Sequence, residues 1–503
     1  MNSCKIYTHD VEVAIMKLND GIGNDNVHSN HLKFASEFFM EFLSRLFSSF
    51  IRHSYMPKSM IEGQIKPIVK NANGDITDSK NYRPIMISSN IFKIFEYCLV
   101  PYFNKYITSN KRQFGFKSHS SCMHASLILK ETIHHYTSSG SNVHCAKIDF
   151  TKAFDKINIK ILVQKLLLSK LPVPIIKILK FMCENVFTHV CFNGFKGSTW
   201  KVGNGTRQGG ILSPYLFNFY IDEVINKMCN INVGCSLSFE SVNILAYADD
   251  ILLLAPSLKG LQFLIDQFCY FIEGMSLNIS TEKDKSEYIV FSNKKFSECY
   301  SIILNECVLK NVQASKYLGC IFSADLGVFN DVDKCNMTFL KQFNSLYHKF
   351  SFLNRDAQCF LMKSFCLSFY GAELWYDQFL IKRVVNKISV SYHRAMKRIA
   401  GLLTWDSNHL GAEITGLPIF KHFLADRMIS FLFSIVFNKS NSLVGNLHNY
   451  FKYDSFLFRS ISNIFNENYN VLDIFNNDLL ALKSRIYFIQ RTEPRSFYNI
   501  PCT

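Results

Sequence analysis

What the chain lacks narrows the field first. It has no run of about 18 or more uncharged apolar residues, so nothing in it reads as a membrane-spanning helix. The opening residues, Met1 to Asp10, lack the apolar centre of a secretory leader. Sixteen cysteines are present, but no two are spaced as Cys-x₂₋₄-Cys, so neither a zinc knuckle nor a disulfide framework can be read. Reduced thiols in an intracellular protein are the expectation. No internal repeat, low-complexity linker or dense basic run appears.

What is present is a long, apolar and basic chain. Its 503 residues suffice for several domains, and 48% of them are hydrophobic, enough for large cores. Lysine and arginine exceed aspartate and glutamate by 15 (55 against 40), a balance suited to a polyanion such as nucleic acid. A basic protein on a membrane surface is the competing reading.

The chain is organised around Asn243–Leu254. Two apolar runs flank Tyr247-Ala248-Asp249-Asp250 and read as buried strands joined by a tight hairpin. Adjacent carboxylates walled in by apolar strands repel each other and are costly to desolvate. A hard divalent cation such as Mg²⁺ relieves both. A solvated turn would also explain the pair, because aspartate is common in turns. A third acid at the end of another strand decides between the two, and Val143–Phe150 supplies one in Asp149. Alone, Asp149 reads as a cap for the turn that follows it. Together, Asp149, Asp249 and Asp250 can gather around two metal ions about 3.5–4 Å apart, the arrangement for in-line phosphoryl displacement.

Elsewhere, 11–50 carries helical periodicity around a turn-rich loop at 19–25. Ile65–Lys70 and Tyr82–Ile87 read as a basic hairpin, which could close over a phosphate or be an ordinary exposed one. Asn193-Gly194 is a strong hairpin signal. Gly205 to Phe217 combines three glycines around Arg207 and Gln208 with Ser213-Pro214, an N-cap and first helical residue. Ser257 opens a helix that Gly274 stops. Beyond 326 strand signals fade. Between Lys334 and Ala400, 11 basic residues face 3 acidic ones, with aromatics interleaved. A helical bundle with a solvated basic face and an aromatic core accounts for that stretch, and the same face would suit contacts to a duplex backbone.

These motifs, in this order, resemble the reverse transcriptases of non-LTR, LINE-type and jockey-like retrotransposons. The likeness covers roughly 10–325 and runs more weakly to about 425. It implies an α+β right-hand polymerase: an N-terminal helical extension (1–59), fingers and an antiparallel-sheet palm (60–325), a helical thumb (326–405) and a C-terminal helical region of unassigned role (406–503). Asn81 to Ile85 resembles a fingers motif whose arginine, here Arg83, contacts the incoming triphosphate. Gln113-Phe114-Gly115-Phe116 resembles the next one. In the palm motif Ile148–Asp155, Asp149 and the Phe150 carbonyl are implied metal ligands, and Phe154 an aromatic gate against a ribose 2′-OH. Arg207–Pro214 resembles the second palm motif, with Gln208 and Gly209 at the nucleotide. Asp249 and Asp250 complete the metal box. A lysine that protonates pyrophosphate is carried to Lys285, with Lys283 in competition because the segment after Asn278 is long. Tyr317-Leu318-Gly319 resembles the primer grip.

The resemblance implies an RNA-directed DNA polymerase that uses two Mg²⁺ ions, or Mn²⁺ in their place. Its partners would be an RNA template, a DNA primer, dNTPs and the element's own RNA in a ribonucleoprotein, with no membrane. The nucleus is the expected location, with a cytoplasmic ribonucleoprotein phase. The loop Gly21 to Asn26 is shorter than the family's and lacks its lysine and proline. With no endonuclease before the fingers and no Cys/His knuckle after, a truncated reading frame or a polymerase portion alone is expected. A catalytically inactive, retroelement-derived nucleic-acid-binding protein is the rival from another class. A polymerase copying DNA templates is the third reading.

Overall fold

The computed structural model describes residues 4–447 apart from 238–239, 282–284, 295–300, 379–381, 437, 439–440 and 446. Helices come first, at Thr8–Met16, Ser29–Lys33, Glu37–His53 and Lys58–Ile61. Ser36 caps the longest by accepting the Phe39 amide, and its buried Phe47 and Phe50 pack on Phe95 at 5.1 and 5.8 Å. The loop 21–27 is tied to the next long helix, because the Asn90 amide donates to the carbonyls of Gly21 and Val27.

The fingers sheet runs Tyr82–Ile87, Gly63–Val69, Phe187–Phe192, Phe195–Lys196, with Trp200–Lys201 also on Phe187–Phe192. The expected hairpin of Gly63–Val69 with Tyr82–Ile87 is there, antiparallel, with Pro67 opposite Pro84. Prolines survive because Tyr82–Ile87 is an edge strand and Gly63–Val69 pairs with Phe187–Phe192 only over 63–65. Asn193 and Gly194 both take positive φ, 48° and 83°, in the tight turn their sequence predicts.

The palm sheet runs Lys310–Asn311, Glu287–Phe291, Val143–Ile148, Asp250–Ala255, Ile244–Tyr247. Three of its four pairings are antiparallel, as expected of the palm, and Glu287–Phe291 meets Lys310–Asn311 in parallel. Successive side chains on a strand point to opposite faces. Here both faces are covered. Ala146, Ile148, Ile251 and Leu253 share one core with the helices Ser213–Cys229 and Leu258–Glu273. Cys145, Leu245, Leu252 and Leu254 share the other with the helix Cys122–Ser138 and the helices that follow residue 326. This double burial is why the strands read as unbroken apolar runs rather than as alternating ones.

Ser213 is not the cap of its helix. Leu212 already has helical dihedrals, so the helix begins one residue earlier than expected and Ser213 lies inside its first turn, beside Pro214. Ser257 does cap Leu258–Glu273, by accepting the Gly260 amide, and Gly274 ends it.

After the hairpin Ala314–Tyr317 and Cys320–Ser323, helices take over: Phe329–Phe350, Arg355–Phe365, Lys382–Ala400, Asn408–Thr415 and Phe420–Val436. Phe339 and Phe343 are core residues, stacked at 6.1 Å, whereas Phe352 is 79% exposed. The structure thus sorts the interleaved aromatics into a core and a surface set. The Asn438 and Asn441 amides donate to the carbonyls of His119 and Lys111, docking this region onto the segment that leads into the helix Cys122–Ser138. Of the expected C-terminal region, 448–503 lies outside the described residues. Among the described residues the cysteines are free and no helix is long and apolar enough to cross a membrane.

Candidate active site

The sheet register brings the acids together. Ile251 pairs with Ile148, so Asp250 and Asp149 emerge at the same end of neighbouring strands. Asp250 also faces Tyr247 across the hairpin, leaving Ala248 and Asp249 as its two-residue tip. Electrostatics report the closeness. The Asp249 carboxyl is pushed up to about 6, first by burial, then by the charge of Asp250, with Asp149 adding to the push. Burial raises Asp250 as well, and the Lys147 ammonium opposes the shift. In both carboxyls burial outweighs any neighbouring cation. Oxygen donors of this kind suit a hard divalent cation. Among the described residues no three His, Cys, Asp or Glu side chains form a ready-made metal cage. The fit to a metal therefore rests on donor chemistry and on accumulated negative charge.

Asp149 is held from the other side. Its amide donates to Ser286 Oγ at 3.2 Å, its carbonyl accepts the Ser280 amide at 2.8 Å, and Ser286 Oγ in turn donates to the Ser280 carbonyl. The Lys285 ammonium lies 3.9 Å from Asp149 Oδ2. Lys283, its competitor, lies outside the described residues. Phe150 is buried, with its ring against Phe268 at 6.1 Å.

The glycine-rich loop packs beside this corner. Gly205 comes so close to Asp155 that a Cβ would sit 2.7 Å from its backbone, and the Thr206 amide donates to the Phe154 carbonyl at 2.8 Å. The Phe154 ring, partly buried, packs at 5.0 Å on Phe217 of the following helix. Gln208 offers its carbonyl to the Met86 amide at 2.7 Å, and Gly209, at φ 112°, leaves 2.9 Å between a notional Cβ and the Met86 carbonyl. The loop is thereby stitched to the fingers strand that carries Arg83, which is exposed three residues before Met86.

Arg207 departs from its neighbours. It turns inward, donating to the Ile61 carbonyl at 2.9 Å and lying 4.0 Å over the Phe92 ring, with the buried Glu96 as its charge partner. Arginine between glycines thus serves the packing of the loop, while Gln208 is partly exposed and Gly209 exposed.

Tyr317, Leu318 and Gly319 form the hairpin turn beyond the sheet. Tyr317 is buried and close to the acids, for burial and then the charge of Asp250 hold its phenol well above the ordinary value. Leu318 and Gly319 take positive φ, 45° and 89°. Sequence reasoning missed what supports this turn. The Tyr370 hydroxyl donates to the Leu318 carbonyl at 2.9 Å, Lys334 donates to the Gly319 carbonyl, and Asp331 accepts the Ile321 amide at 2.9 Å. These side chains come from beyond residue 326, and nothing local in the sequence ties them to the hairpin.

An antiparallel palm with acids at the ends of adjoining strands, a glycine loop tied to a fingers sheet and a supported turn alongside is the layout of the right-hand polymerase fold. More narrowly, the chain belongs to the reverse transcriptase (RNA-dependent DNA polymerase) family, which it matches over residues 68–322, just over half its length. It is 25% identical over 409 residues to the RNA-directed DNA polymerase from mobile element jockey of Drosophila melanogaster, covering 77% of this chain and 43% of that one. It is also 25% identical over 255 residues to the Pol polyprotein of a type-1 retrotransposable element R2 of Nasonia vitripennis, covering 51% and 25%. The telomerase of Candida tropicalis superposes with a TM-score of 0.38 at 12% identity, over 61% of this chain and 62% of that one. The chain spans less than half the length of these curated relatives.

Proposed function

We propose that the chain extends a DNA 3′ end on an RNA template, as the RNA-directed DNA polymerase of a non-LTR retrotransposon. One observation carries this reading: Asp149 and the Asp249-Asp250 pair, a hundred residues apart in the chain, share one electrostatic neighbourhood at the end of the palm sheet.

Asp149, Asp249, Asp250 and the Phe150 carbonyl would hold the divalent ions that reverse transcriptases generally use, here two Mg²⁺ or Mn²⁺. When bound, such ions supply activation of the attacking 3′-hydroxyl and neutralisation of the pyrophosphate leaving group. The chain's own side chains do the rest. Arg83 on the fingers strand meets the triphosphate of a dNTP, and Gln208 and Gly209 line its pocket. Phe154 rejects a 2′-hydroxyl by occupying its place. Lys285, next to Asp149, supplies a proton to pyrophosphate. Tyr317, Leu318 and Gly319 support the primer terminus, and the basic helices beyond 326 hold the template–primer backbone. The element's own RNA, in a ribonucleoprotein, is the natural template, and synthesis on chromosomal DNA would place the protein in the nucleus.

Primer extension on an RNA template with Mg²⁺ tests the proposal. The parent chain should extend and Asp249→Asn should not, while template binding is kept. RNA binding without extension by the parent would replace the polymerase with the non-catalytic binding protein.

A further inference from the structure

The turn that presents Asp249 has a support that none of the roles above uses. Ala248 sits at φ 55°, a left-handed conformation that a residue with a Cβ rarely adopts. Such a conformation persists only where the surroundings over-determine it. Here they do. The backbone of Arg112 to Phe114 runs along the edge of Ile244–Tyr247: the Ala246 amide donates to the Arg112 carbonyl at 2.9 Å, and the Phe114 amide to the Ala246 carbonyl at 2.8 Å. Between them Gln113, fully buried, turns its side chain to the hairpin tip. Its Oε1 accepts the Ala248 amide at 2.8 Å and the Gly115 amide at 2.9 Å. Two backbone donors on one atom fix which end of the amide is oxygen.

Gly115 is part of the same device. A Cβ there would lie 2.5 Å from the Ala248 nitrogen, so only glycine permits the approach. From behind, Asn218 Nδ2 donates to the Gly115 carbonyl at 2.6 Å, fixing the segment to the helix Ser213–Cys229. One further fact separates Gln113 from an ordinary packing residue. Its Nε2 is buried with no hydrogen-bond partner among the described residues. Leaving such a donor unpaired is destabilising. The acceptor is the polar end of the amide that the fold uses.

We infer that Gln113 is a positioning residue for the metal-ligating turn: through Oε1 it holds Ala248 in its left-handed conformation and so sets where the Asp249 carboxylate points. The metal-ligating part of this role rests on the polymerase reading above.

The test uses the full chain and two variants. Gln113→Met keeps the length and apolar stem but removes the acceptor. Gln113→Glu keeps acceptor oxygens and removes the orphaned donor. Amide hydrogen exchange is read at Ala248 without metal, Mn²⁺ binding by water-proton relaxation, and primer extension as separate kcat and nucleotide KM. With Gln113→Met, Ala248 exchange should quicken about tenfold or more relative to the Val143–Ile148 amides, in line with the loss of one or two hydrogen bonds. The Mn²⁺ midpoint should rise by a similar factor and kcat fall, with nucleotide KM little moved. Gln113→Glu should keep Ala248 protected. Parent-like protection and Mn²⁺ binding in Gln113→Met would overturn the inference. So would loss of Ala248 protection in Gln113→Glu, which decides alone should the methionine variant not fold. A parent chain that neither binds Mn²⁺ nor extends a primer would instead sink the polymerase reading, while the exchange measurement would still report on the clamp.

Discussion

The ammonium of Lys285 stands 3.9 Å from Oδ2 of Asp149, at the rim of the site where both side chains are partly exposed. A cation there is near enough to reach a phosphate that a metal held by the same carboxylate would bind. Lys285→Ala should therefore lower kcat by about 10²–10⁴-fold, the usual worth of a positioned acid, with template affinity unchanged. Lys283→Ala should leave kcat near the parent value. Single-turnover extension by both variants separates the two lysines.

The acid cluster makes stability depend on pH. The folded chain raises the Asp249 carboxyl from an ordinary 3.8 to about 6, so between those values the folded state binds more protons than the unfolded one. Without metal, stability should fall as pH climbs through that window and level off above it. A divalent cation binds the ionised form, so Mg²⁺ should raise Tm more near pH 7 than near pH 5. Asp249→Asn should flatten this dependence and raise the metal-free Tm near pH 7 while abolishing synthesis. Thermal melts across pH, with Mg²⁺ and with chelator, check the sign.

Phe154 packs on Phe217 at 5.0 Å and is joined through its carbonyl to the Thr206 amide of the glycine loop, so its ring has a fixed place beside that loop. Phe154→Ala should raise ribonucleotide kcat/KM relative to deoxyribonucleotide by roughly 10–200-fold, the range one steric contact provides. Unchanged discrimination in a competition assay would move the gate to another residue.

Asp331 holds three partners from a buried position: the Ile321 amide and Lys334 on Oδ1 and the Trp375 indole N–H on Oδ2. Removing one partner of a buried, hydrogen-bonded charge typically costs about 3–5 kcal/mol. Asp331→Ala should lose stability of that order in urea and shorten the products made per binding event, because the turn at 317–319 loses its anchor. Full-length products under single-encounter conditions would argue against the second effect.

Much of this arrangement could be read from residues alone because its signals are local. The strands at 143–148, 244–247 and 250–255 are short apolar runs bounded by polar residues, and Asp149 and Asp249-Asp250 end them. Asn193-Gly194 and Ser257 carry their own conformational instructions. What stayed hidden depends on distant partners. Gln113 acts on an amide 135 residues away, and its role is set by tertiary pairing along a strand edge. Arg207 sits between glycines, where nothing local shows that Phe92 and Glu96 draw it inside. The start of the helix at Ser213 moved by one residue because Leu212 could adopt helical dihedrals without a side-chain cap. The supports of the 317–319 turn come from helices whose own pattern reports only a core.

The bond from the Met86 amide to the Gln208 carbonyl has a mechanical meaning. It makes the glycine loop a passenger of the fingers sheet. Any swing of that sheet carries Gln208, Gly209 and Arg83 together, so the three advance and withdraw as one plate. Spin labels placed at 86 and 208 should keep a constant separation while both change distance from a label on the palm strand at 145.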